Sequence, residues 1–76
     1  MREARIISIE EMCRIYLRLA AKNVDSGRDS VFDAYRYAYH HLTGMADGLS
    51  SAWDFEGYYI ARYYAECAHD RMIKGI

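Results

Sequence analysis

The chain has 76 residues with ten basic and eleven acidic side chains, a formal net charge of −1. That balance argues against a general nucleic-acid binder and equally against a strongly acidic mimic of DNA. Apolar residues make up 53% and aromatics 14%, with no proline, which excludes a disordered segment.

A chain of this length is read as one helical domain, residues 1–76. It buries only about 60% of its unfolded surface and is marginally stable. Small folds of this kind usually lean on a disulfide, a metal or a partner subunit. The charge is uneven. Residues 1–28 hold six basic and four acidic side chains, whereas residues 29–76 hold four basic and seven acidic. No basic-then-apolar leader opens the chain, and its apolar runs last only a few residues. The expectation is a cytoplasmic protein with no membrane span.

Residues 1–7 read as an extended arm or an extra helical turn. Ser8-Ile9-Glu10-Glu11 matches a capping box, with Ile7 and Met12 at the staple positions. The spacing predicts a first helix over about 9–23. Ile9, Met12, Cys13, Tyr16, Leu17, Leu19 and Ala20 share its inner face. Glu10, Arg14, Arg18 and Lys22 descend the other, acid first and bases last, as the helix dipole favours.

Asp25-Ser26-Gly27-Arg28-Asp29 reads as a turn. Ser30 then caps a second helix over about 31–47, with Asp33 as the acid at N3. Val31, Tyr35, Ala38, Leu42, Met45 and Ala46 point inward. Asp33, Arg36, His40, Thr43 and Asp47 point to water. Gly44 lies inside this helix, and Gly48 is its expected stop. Leu49 and Ser50 link to a third helix over about 52–74, capped by Ser51 with Asp54 at N3 and ended by Gly75. Trp53, Gly57, Ile60, Ala61, Tyr64, Ala68 and Met72 form its inner face. The fold class expected is all-α, a compact three-helix bundle with short connections.

Phe55, Tyr59 and Tyr63 fall opposite that inner face, among Arg62 and Glu66. A second aromatic stripe set among charges is the surface expected to bind another protein, either a target or a second copy of the chain. Arg14, Arg18 and Lys22 form a secondary basic surface that could meet phosphates.

No chemistry-bearing constellation accompanies these surfaces. On a helix Cys67 and His69 diverge by about 200°, and His40 and His41 also point apart, so no metal site is expected. Neither Cys13 nor Cys67 has a histidine one turn away, so no nucleophile is expected and no cofactor is implied. Both thiols are expected reduced and poorly reactive, with a single bridge as the alternative.

Arg62 and His69, six residues apart between them, and Arg36 and His41, four apart, resemble the arginine–histidine motif of HEPN-type ribonucleases. In that family both residues act on the RNA backbone from paired subunits. The resemblance covers these residues alone, and Tyr37 and Tyr63 stand where the family has a polar residue. The reading with the most support is a small protein-binding module. It would act as a stoichiometric inhibitor, adaptor or regulator, and its size also suits a phage or mobile-element protein that blocks host defence. The alternative is a dimeric helical regulator associated with nucleic acid.

Overall fold

A computed structural model describes residues 2–75. Met1, the first residue of the expected arm, lies outside the described residues. The chain forms three helices: α1 (Arg2–Asp25), α2 (Val31–Ser51) and α3 (Phe55–Lys74). They pack as a three-helix bundle measuring 39 × 19 × 15 Å. None of the helices among the described residues is long and apolar enough to cross a membrane.

α1 begins at Arg2, well before the expected cap at Ser8. Ser8 is therefore helical, and its hydroxyl donates back to the Ala4 carbonyl at 3.0 Å. Glu11 does not close a capping box. It pairs with Arg18 at 2.8 Å, and Ile7 and Met12 remain exposed rather than stapled. The added turns place Arg5 on Asp54, at the start of α3. A long-range ion pair thus anchors turns that the local sequence alone does not require.

The α1–α2 turn forms where expected. Gly27 sits at φ 76°, and the Gly27 and Arg28 amides donate to Val24 at 3.0 Å and Asn23 at 2.9 Å. This is the Schellman closure, which needs a left-handed residue and favours glycine. Ser30 caps α2 by accepting from the Asp33 amide at 3.1 Å.

α2 does not stop at Gly48. It continues to Ser51 because its last carbonyls find partners further on: the Trp53 amide donates to Ser50 at 3.0 Å and the Asp54 amide to Leu49 at 2.8 Å. This is the same closure, but Trp53 occupies the left-handed position, at φ 62°. α3 is consequently capped by Asp54 and not by Ser51. The Asp54 carboxylate accepts from the Gly57 amide at 3.1 Å. Gly75, at φ 71°, ends the helix as expected.

The core is narrow. Ala34, Ala38 and Ala46 of α2 belong to one buried cluster with Ala61, Ala65 and Ala68 of α3, and Gly57 is buried beside them. α2 and α3 form the most extensive helix pair. Leu42 and Cys13 are the largest fully buried side chains. Tyr35, expected inward, is also buried, and its hydroxyl accepts from Arg71 at 3.3 Å. α1 adds a thin seam of Ile9, Cys13 and Ala20. Met12 and Leu19, expected inward, are each half exposed. The angular width of their face exceeds what the seam can cover. Thr43, expected in water, has a buried hydroxyl with no partner among the described residues.

Three glycines test this packing. A methyl group at Gly44 or Gly48 would meet nothing within 4 Å, whereas one at Gly57 would meet Asp54 Oδ2 and Ile9 Cδ1, each at 2.9 Å. Gly44→Ala and Gly48→Ala should each raise stability by about 0.5–1 kcal/mol, since helical glycine carries extra backbone entropy. Gly57→Ala should lose that gain and melt below both, because it displaces a carboxylate that serves α3 and Arg5 at once. Leu42→Ala should cost about 2–5 kcal/mol. Denaturant titrations of the four variants check this ranking.

Candidate protein-binding surface

The small-residue seam occupies one arc of α3, so the opposite arc is free. Phe55, Tyr59 and Tyr63 stand there, 48%, 69% and 64% exposed. Arg62 and Glu66 lie on the same arc and pair with each other at 2.8 Å. The expected outward set thus shares one face. Residues 2–7 are helical, and the three rings stay exposed.

Trp53 and Ile73 extend this face, and Trp53 was missed by periodicity. Trp53 was placed on the inner face of the third helix. It instead precedes the helix and is 80% exposed. Its ring meets the Phe55 ring edge-on, with centroids 6.0 Å apart. The tyrosines of the face rest on their sequence neighbours: Tyr59 on Tyr58 at 5.2 Å and Tyr63 on Tyr64 at 5.1 Å. These edge-to-face contacts hold the exposed rings in place. The Tyr63 phenol is raised above its ordinary value, first by the nearby Cys67 thiol and then by Tyr64. It stays a neutral donor and acceptor at physiological pH.

The basic stripe is largely neutralised. Arg14 pairs with Glu10 at 3.3 Å and Arg18 with Glu11 at 2.8 Å. Of the three cations expected there, these two already have carboxylate partners. The Tyr64 hydroxyl beside Arg14 also raises that guanidinium.

The residues of the arginine–histidine pairs each contact other partners. Arg62 is held by Glu66, while the His69 ring packs on Tyr39 at 5.3 Å. Arg36 approaches Asp33 at 3.8 Å and lies over the Phe32 ring, while His41 stacks on Tyr16 at 5.1 Å and tilts against Tyr37 at 4.4 Å. No three histidine, cysteine or acidic side chains converge on a metal position among the described residues.

Two depressions mark the surface. One, of about 350 Å³, is lined by Cys67, Asp70, Arg71 and Lys74. The other, of about 340 Å³, lies between α1 and α2, with Tyr16, Leu19, Tyr37 and His41 among its walls. No protein-family model, characterised protein or solved structure matches the chain.

The two thiols differ in setting. Cys13 is fully buried, and its thiol donates to the Met45 sulfur at 3.8 Å. Burial, aided by the charge of Glu10, pushes it up to about 11 from 9.0. Cys67 is half-buried at the rim of the first depression. A thiol reagent at mildly alkaline pH should therefore modify Cys67 first, and Cys13 only on unfolding. The raised Cys13 value carries a sign. Above the unfolded pKa of 9.0 the unfolded state loses its proton while the folded state keeps it, so stability should fall between about pH 9 and 11. Replacing Cys13 with alanine should flatten that part of the profile in pH-dependent denaturant titrations.

Proposed function

We propose that the chain acts by binding another protein through the outer face of α3, as a stoichiometric inhibitor, adaptor or regulator. The observation that carries this reading is the run of exposed aromatics from Trp53 to Tyr63 around the Arg62–Glu66 pair. Tyrosine, tryptophan and arginine are the residues enriched at recognition surfaces. They bury much area with few torsions to freeze, and they dominate the binding energy. In the isolated chain these residues stay between 48% and 80% exposed and gain nothing from it.

The backbone at Trp53 supports the same reading. A bulky side chain in the left-handed region costs on the order of 1–2 kcal/mol, where glycine would cost nothing. The fold keeps the strain and displays the indole. A function in phage or mobile-element defence evasion fits this mode of action, since a blocking protein needs a surface and not a reaction centre. The paired state of Arg14 and Arg18 favours protein over phosphate as the ligand.

The test compares wild type with Tyr59→Ala/Tyr63→Ala in affinity capture from the native host, followed by affinity measurement on the protein retained. The double variant should keep its melting temperature and weaken binding by about 2 kcal/mol or more. Trp53→Gly should melt at or above wild type and also bind more weakly. A partner held equally well by all three chains would exclude this face. Binding that collapses steeply with added salt would point to nucleic acid instead.

A further inference from the structure

α1 carries a second exposed apolar strip, distinct in place and composition from the α3 face. Met12, Ile15 and Leu19 are 50%, 44% and 50% exposed. With Ser8 before them they follow the four-then-three spacing of a coiled-coil seam. Leu19 also lines the cleft shared with Tyr37, so the apolar surface continues onto α2.

We infer that this strip is where a second copy of the chain docks, with the two α1 helices antiparallel about a twofold axis. The charges decide the occupant. Glu11 and Arg18 sit seven residues apart on the same flank of the strip, both at the position just before a seam residue. In an antiparallel pair that flank faces the same flank of the other helix. The register that sets Met12 against Ile15 of the second copy also sets Glu11 against Arg18 of the second copy, and the twofold axis repeats both contacts. It places Leu19 over the small Ser8 of the second copy. One strip is thus complementary to itself in both shape and charge, as an isologous interface must be. Glu11 and Arg18 already pair within the chain at 2.8 Å with side chains 52% and 66% exposed. Association would extend that pair into a four-charge network.

Composition separates the two faces. Homodimer interfaces resemble a core cut in half, and the α1 strip is aliphatic like a core. The α3 face is aromatic and charged like a recognition surface. The strip from Ser8 to Leu19 runs along about 17 Å of α1, and Leu19 joins it to the α1–α2 cleft, so the contact would spread onto α2. Such a dimer would leave both α3 faces open and bind its target twice.

Sedimentation equilibrium of the full chain tests this without any partner. Wild type should reach twice its 8.9 kDa chain mass, and Ile15→Glu should weaken self-association by about 30-fold or more while staying helical by circular dichroism. Glu11→Arg and Arg18→Glu should each be monomeric alone, because each sets like charges across the axis. Mixed in equal amounts they should form a heterodimer. A wild type that stays monomeric to near-millimolar concentration overturns the proposal. So does a dimer that survives Ile15→Glu, or a charge-swapped pair that does not associate. A dimer abolished by Tyr59→Ala/Tyr63→Ala would show pairing through α3 and would also overturn it.

Discussion

The close approach of α2 and α3 over alanine and glycine is the constraint on which the rest of this structure depends. Ala34, Ala38 and Ala46 share a buried cluster with Ala61, Ala65 and Ala68. Small side chains let two helix backbones come together and leave little volume between them. Leucine and cysteine are the largest residues buried completely. A chain with eight tyrosines cannot house them in such an interior. Some lie along the edges, partly buried against the core. Tyr35 reaches the interior because Arg71 satisfies its oxygen. The rest stand on the surface. The exposed aromatic face is therefore a direct consequence of a thin core.

A thin core also makes the ends of the helices matter. Asp54 caps α3 through one carboxylate oxygen and receives Arg5 of α1 on the other. Gly57 leaves the space in which that carboxylate and Ile9 both fit. One residue thus joins the start of the first helix to the start of the third. α1 otherwise rests on few fully buried side chains, and its outer apolar strip has no counterpart in the chain. Burying that strip in a second copy would supply the additional area that small domains usually need.

The bundle was legible in the sequence wherever the 3.6-residue period was strong. α2 shows this best, since Tyr35, Ala38, Leu42 and Ala46 are all buried as the pattern requires. Boundaries were less legible because local signals compete. Ser8 and Glu11 form a capping box only if no helix precedes them, and a contact across the chain, Arg5 with Asp54, decides that. Gly48 reads as a stop, yet Trp53 supplies the left-handed residue a full turn later. No local preference points to tryptophan in that role. For the same reason Phe55, Tyr59 and Tyr63 could be found by periodicity, whereas Trp53 could not. The exposure of Met12 and Leu19 depends on how far α1 overlaps its neighbours, which periodicity does not encode.

Departures from local rules in this chain gather at its outer surfaces. Trp53 occupies a glycine conformation beside the aromatic face. Gly44 and Gly48 sit inside α2 with nothing near enough to require glycine. They follow Tyr37 and His41 along the same side of the helix, on the edge that borders the α1–α2 cleft. Each lowers the stability of a domain that has little in reserve. A sequence optimised for the isolated bundle would remove all three. Local conflicts of this kind persist where a residue answers to something other than its own fold. Here they lie next to the aromatic face proposed to bind a target and the aliphatic strip inferred to bind a second copy. The residues that cost the isolated bundle stability thus border the two surfaces proposed for contact.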